Sequence, residues 1–191
     1  MWLEGRPFLP RRPSDAINRG VCLAPEDRKR HGLVLPMSIA QNTSLPAVHR
    51  HQHFGFLDRA QERRMVEAEV ARFRIKTPTV EQPVVSLSGG NQQKVVLGKW
   101  LAMSPRILIL DEPTHGIDVG AKAEIYRHMA TLADEGLTIL MVSSEMEEVL
   151  GMSDRVVVMR ERRMVGVLER AGLTAERVAQ MMTGGLLAEA V

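Results

Sequence analysis

The chain has 191 residues, of which 45% are apolar, 25% charged and only 4% aromatic, and its formal net charge is +2. That is ample for one globular domain, with a core that must be aliphatic and Met-rich. No apolar run approaches the roughly 20 residues of a membrane span, Met1 to Pro7 lacks the apolar stretch of a signal peptide, and the single cysteine, Cys22, leaves no internal disulfide and fits a reducing cytoplasm.

In chain order, Gly20 to Ala24 is the first short apolar run and predicts a strand, with Cys22 as core rather than nucleophile. The basic clusters Arg11-Arg12, Arg28-Lys29-Arg30 and Arg160 to Arg163 read as solvated surface, not as a nucleic-acid patch. His49-x-His51-x-His53 has a spacing that would suit Zn²⁺ or Ni²⁺, although a variable connection is the plainer reading. Asp58 to Ile75 predicts a helix burying Met65, Val66, Val70 and Phe73, and Ser88 to Met103 a second one stopped by Ser104-Pro105. A strand at Arg106 to Leu110 follows, then a helix over Val119 to Glu135 that ends at Gly136. Leu137 to Val142 is a third strand, and Ser144-x-x-Glu147 predicts a capping box for the next helix. Arg155 to Met159 is a fourth strand, and Met164 to Leu168 alternates weakly as an edge strand would. The alternation from residue 106 onward is an α/β pattern. Residues 36–104 hold little strand signal and read as a helical insertion in a core made of 1–35 and 105–170, with 171–191 as a tail.

Two motifs carry chemistry. The strand Ile107-Leu108-Ile109-Leu110 ends on Asp111 and Glu112, then Pro113-Thr114. Asp111 is placed to hold Mg²⁺ through water, and Glu112 to act as general base toward the water that attacks a γ-phosphate. The bland alternative is a buried strand that surfaces at two solvated acids. The second motif, Leu87-Ser88-Gly89-Gly90-Asn91-Gln92-Gln93-Lys94, lies 23 residues earlier, counting Ser88 to Asp111. A Ser N-cap and two glycines put backbone N–H groups at a positive helix end, a good anion site. A simple helix cap after a turn is the alternative.

Together these runs resemble the signature and Walker B motifs of ATP-binding cassette (ABC) ATPases. The stretches Val85 to Leu97 and Asp111 to Lys122 are similar to the second cassette of bacterial monosaccharide importers of the ribose, xylose and galactose type, and Pro25-Glu26-Asp27-Arg28-Lys29 with Gly32-Leu33 is similar to that cassette's Q-loop. The similarity runs from about Gly5 to Gly184. It implies an α/β P-loop NTPase core with a parallel sheet flanked by helices and a helical subdomain. It also implies ATP and Mg²⁺ as cofactors, and a peripheral location on the cytoplasmic face of the bacterial inner membrane. The implied partners are a first cassette of the same polypeptide or a second copy, sugar-permease transmembrane subunits and, indirectly, a periplasmic sugar-binding protein, with no nucleic acid.

By the same resemblance, Ser88, Gly89, Gly90 and Gln92 face the ATP held by the partner cassette. Asp111 holds Mg²⁺ through water, Glu112 is the general-base position, and His115 and Asp118 belong to the D-loop. Glu26 stands where the Q-loop glutamine is usual, Ser144 where the switch histidine is usual, and His115 where relatives usually carry Arg. The family's phosphate loop and its strand and helix would precede Met1, so the chain resembles the closing part of a polypeptide more than twice as long and is expected to be inactive by itself. Gly98-Lys99-Trp100 is no substitute for that loop, because Trp follows the Lys. The resemblance implies the ATP-binding subunit of an importer for simple sugars, with one working ATP site and one degenerate one. Two other readings stay open: a non-hydrolysing interaction or regulatory half-cassette, and an ABC ATPase of a non-transport kind.

Overall fold

A computed structural model of the chain describes residues 2–53 and 56–184. They form two compact units, one running to Val142 and the other starting at Ser143.

The first unit opens on an antiparallel pair, β1 (Trp2–Leu3) and β2 (Arg6–Pro7). After α1 (Pro13–Asn18), which starts on a proline, comes β3 (Val21–Ala24). A single π-type turn, Arg28–Gly32, follows, capped by the Asp27 carboxylate, which accepts the N–H groups of Lys29 and Arg30 at 3.1 Å each. The helical stretch holds α2 (Ile39–Ser44), a 3₁₀ segment (Leu45–His51), the small pair β4 (Gln52–His53) and β5 (Phe56–Leu57), and α3 (Arg59–Arg72). Of the histidines weighed as a metal clamp, the side chains of His51 and His53 lie outside the described residues. The unit ends with α4 (Gly89–Leu101), β6 (Ile107–Asp111), α5 (Val119–Asp134) and β7 (Thr138–Val142). Gly136, at φ +95°, stops α5 where a left-handed residue is needed.

Strands β3, β6 and β7 form one parallel sheet in that order, in register at Val21–Ile107–Thr138. Because side chains alternate along a strand, Cys22, Ala24, Leu108 and Leu110 share one face, and all are essentially buried. Helix α4 packs on β3 and α5 on β7. The other face is apolar too but uncovered: Leu23, Leu140 and Val142 are 46%, 52% and 51% exposed. Continuous aliphatic runs predict strands buried on both sides, and here only one side is.

In the second unit, α6 (Met146–Met152) precedes the antiparallel hairpin β8 (Arg155–Arg160) and β9 (Arg163–Glu169), and α7 (Ala175–Thr183) closes it. Glu161 and Arg162 make the two-residue turn at positive φ, 50° and 64°, the twist a tight hairpin requires. Val156, Val158, Leu168, Val178 and Met181 form its core. The expected capping box of Ser144 and Glu147 does not form. The N-cap of α6 is Glu145, without a side-chain cap bond. Instead, Ser143 Oγ accepts the Glu145 N–H at 3.0 Å and donates to the buried Glu148 carboxylate. Glu148, one residue beyond Glu147, is the acid that turns inward.

Candidate functional site

The glycine-rich motif lands as its residue types dictate. Ser88 is the N-cap of α4; its Oγ accepts the Asn91 backbone N–H at 3.5 Å and the Asn91 side-chain amide at 3.1 Å. An α-helix leaves its first N–H groups without intrahelical partners, so those of Gly89 and Gly90 stand at the positive end, beside an exposed hydroxyl. That arrangement fits an anionic phosphate. Gly90 also serves packing, since a Cβ there would lie 2.5 Å from the Ala121 Cβ. Only glycine lets α4 approach α5 so closely.

Gln92 turns inward. It is buried, and its Nε2 donates to the Val84 carbonyl at 3.2 Å. Lys94, two residues further, is also buried; its ammonium pairs with the Glu124 carboxylate on α5 and reaches the Arg74 carbonyl at 3.4 Å. The signature helix is thus seated on α5 by glycine contact at its start and an ion pair one turn further on. A cavity of about 270 Å³ opens beside this seat, lined by Ser88, Gly90, Asn91, Lys94, Asp118 and Glu124 among others. Lys99, in the run that mimics a phosphate loop, lies inside α4, and its ammonium donates to the Gly32 carbonyl at 2.8 Å.

Asp111 ends β6, and Glu112 follows at φ +45° with its N–H donating to the Val142 carbonyl at 2.9 Å. This left-handed residue costs roughly 1 kcal/mol or more and turns the chain sharply at the end of the sheet. Pro113 and Thr114 are buried behind it. Two carboxylates at a strand end can hold a hydrated Mg²⁺ and orient a water. Among the described residues no group of three His, Cys, Asp or Glu side chains could hold a metal by itself, so any ion here relies on water and a ligand for its other bonds.

The turn continues through His115 and Gly116, at φ +67°, to Asp118, whose carboxylate caps α5 by accepting the Ala121 N–H at 2.9 Å. His115 Nδ1 lies 3.6 Å from the Glu26 carboxylate, both side chains being more than half exposed. The structure therefore brings Glu26, Ser88, Gly89, Gly90, Asp111, Glu112, His115 and Asp118 onto neighbouring segments of one unit. Ser144, two residues beyond the end of β7, belongs to the other unit.

One assignment needs correction. Arg28, read as solvated with Lys29 and Arg30, turns inward: its Nη1 donates to the His115 carbonyl at 2.9 Å and its Nη2 to the Gly116 carbonyl at 3.1 Å. Lys29 and Arg30 are exposed. The only available signal was its place inside Pro25 to Lys29, since composition cannot tell which member of a basic triplet faces in. The contacts of Lys94 with Glu124 and of Gly90 with Ala121 were missed for the same reason.

A parallel sheet with a capped, glycine-initiated helix, a strand ending on two acids and a strained turn leading to a second capped helix defines an ATP-binding cassette. A family model described as ABC transporter matches residues 9–115. The ribose import ATP-binding protein RbsA 1 of Agrobacterium fabrum is 50% identical over 182 residues, which are 95% of this chain and 36% of that protein. The xylose import ATP-binding protein XylG of Geobacillus kaustophilus is 49% identical over 185 residues, 97% of this chain and 37% of that protein. Two solved structures share the fold: cbiO1 from Clostridium perfringens, part of the ABC transporter complex cbiONQ (TM-score 0.74, 24% identity, 93% of this chain and 68% of that one), and the ATP-binding cassette MJ0796, a dimer bound to ADP and Pi (TM-score 0.70, 18% identity, 84% and 68%). The chain belongs to the ABC transporter family. It spans little more than a third of the length of the sugar-import relatives it matches.

Proposed function

We propose that the chain is the carboxyl-terminal part of the ATP-binding subunit of an ABC importer for simple sugars, working as half of a pair of cassettes. The observation that carries this is the 50% identity over 95% of the chain to a ribose import ATP-binding protein, together with the seating of the glycine-initiated helix against α5 at Ala121 and Glu124. Bound ATP with Mg²⁺ supplies the phosphoryl group and the free energy of the transport cycle. The residues here divide between two composite sites. Ser88, Gly89 and Gly90 donate a hydroxyl and backbone N–H groups to the phosphates held by the other cassette, where negative charge builds as the phosphoryl group transfers. Gln92 supports that helix from within. Asp111 would hold the Mg²⁺ of the opposite site through water, and Glu112 would be the general base there. By the resemblance, Ser144 stands at the position of the switch histidine, and a hydroxyl cannot take up positive charge as imidazole does. Glu26 contacts the same site from the Q-loop position, and His115 and Asp118 carry the D-loop across the interface.

Residues 36–104 form the helical subdomain that meets sugar-permease subunits, which couples nucleotide state to transport at the cytoplasmic face of the inner membrane. No helix among the described residues is long and apolar enough to cross a membrane.

The test separates the two sites in a two-cassette polypeptide carrying this chain at its carboxyl end. Ser88→Asp keeps a good N-cap and adds a carboxylate where the partner's phosphate belongs. It is the cleaner probe than Gly90→Asp, which would also push α4 off Ala121. Repulsion of several kcal/mol, at roughly 1.4 kcal/mol per factor of ten, should cut steady-state ATPase by a hundredfold or more. Glu112→Gln acts in the degenerate site and should cost no more than about tenfold. Equal loss in the two variants, at saturating MgATP, would overturn the division of labour.

A further inference from the structure

We infer that Arg28 is a positioning residue, a clamp that joins the Q-loop segment, the D-loop turn and the opening of the signature helix into one body. The inference rests on the cassette reading above and adds a role for a side chain which that reading leaves unused.

Four observations carry it. The two terminal nitrogens of the guanidinium donate to successive carbonyls, His115 at 2.9 Å and Gly116 at 3.1 Å, from 87 and 88 positions away in the chain. That turn holds a non-glycine residue, Glu112, in the left-handed region at φ +45°, a conformation its surroundings must hold, and passes through Gly116, which adopts that region freely. The start of α4 is shaped around the same group: a Cβ on Gly89 would stand 2.7 Å from Arg28 Nη2 and 3.3 Å from the Gly116 oxygen. Glycine at 89 therefore makes room for the guanidinium as well as for a ligand. Finally, Arg28 Nε is buried without a hydrogen-bond partner among the described residues, and desolvation pulls the group below its ordinary pKa, opposed by the neighbouring Asp27 carboxylate. Desolvating a guanidinium is unfavourable, and hydrogen bonds from a charged donor are the strong kind that offsets it.

The mechanical consequence follows from connectivity. Arg28 begins the turn that follows Glu26 and Asp27. Any displacement of that segment is transmitted through two parallel N–H···O bonds to the backbone between Glu112 and Asp118, and by contact to Gly89. Motion at the Q-loop then reaches the base, the D-loop and the signature helix of this chain together. A lysine cannot replace the clamp, because one ammonium does not present two coplanar donors to adjacent carbonyls.

The experiment uses the two-cassette polypeptide with Arg28→Lys and Arg28→Met. Both should lower kcat for MgATP hydrolysis by about tenfold while leaving KM within about twofold, the pattern of lost alignment rather than lost binding. In the same proteins, backbone amides of residues 114–118 should exchange hydrogen about tenfold faster or more, with those of β3 and β6 unchanged. Wild-type kcat in Arg28→Lys, a rise in KM alone, or unchanged exchange at 114–118 would each overturn the clamp. Should Arg28→Met lose protection throughout, Arg28→Lys decides; general loss in both variants makes Arg28 a stability residue and overturns the proposal. If the unsubstituted polypeptide hydrolyses no ATP, the cassette reading fails, while the exchange measurement still decides whether Arg28 holds the turn.

Discussion

Glu69 on α3 shows what a single buried charge does to this fold. Its Oε2 is buried without a hydrogen-bond partner among the described residues. Burial raises its pKa above the ordinary carboxylate value, with Arg72 pulling weakly the other way. A folded-state pKa above the unfolded one means that the folded chain binds the proton more tightly. The stabilising contribution is therefore complete below the unfolded pKa, near 4.3, and is lost as pH rises through the folded value. At neutral pH the carboxylate is a liability that Glu69→Gln removes. The variant should be more stable at pH 7 by about 1 kcal/mol, read from the urea midpoint of the two-cassette polypeptide, and the difference should vanish below about pH 4. A variant less stable at pH 7 would show that Glu69 has a partner worth keeping. Cys22 is the opposite kind of residue. Burial pushes its thiol up to about 11, which keeps it un-ionised and inert.

At the scale of elements, the decisive contact is α4 on α5. Motif spacing marks Gly90 as a phosphate contact, yet packing demands glycine there independently, because a methyl group would collide with Ala121. Gly90→Ala should lose about 1–2 kcal/mol even though alanine is the better helix former, and it should do so without any ligand. The double variant Gly90→Ala with Ala121→Gly moves the methyl to the other helix and should recover much of that loss, a coupling that denaturation of the four proteins of the cycle measures directly. Additive losses would mean that the two helices do not meet at this point. The Lys94–Glu124 pair holds the same two helices a turn away. Its lysine is 3% exposed and its glutamate 36%, so the lysine depends on the carboxylate far more than the reverse.

Across the whole molecule, the sheet is incomplete as a layered structure. β7 pairs with β6 alone, and β8 with β9 alone, among the described residues. Leu23, Leu140 and Val142 leave one face of the parallel sheet half exposed, and an open, apolar edge is a template for pairing between chains. The 191-residue chain by itself should therefore aggregate at micromolar concentration, and Leu140→Lys should raise its soluble yield. Light scattering and sedimentation measure both. A soluble monomer with one sharp thermal transition would show that the bare face is tolerated.

Much of this was legible in the residues. The strands at Val21, Ile107, Thr138 and Arg155 begin within one residue of their predicted starts, because short aliphatic runs bounded by polar residues have few alternatives. The start of α4 and the end of α5 were set by Ser88 and Gly136, whose cap and turn chemistry is local. The N-cap of α6 is Glu145 rather than Ser144, and it is Ser143 that meets the buried Glu148; which acid finds an interior is set by packing. What spacing could not contain was direction. Local pattern names Arg28-Lys29-Arg30 a basic triplet and Asn91 to Lys94 a polar run; only the folded chain decides that Arg28, Gln92 and Lys94 point inward to carbonyls and a carboxylate on segments far away in sequence. Sequence by itself determined the longer helices and the four aliphatic strands, the Ser88 cap and the family, because those depend on neighbours along the chain. Tertiary structure alone decided which charges are clamps and which face of the sheet stays bare, because burial is set by packing between segments far apart in the chain.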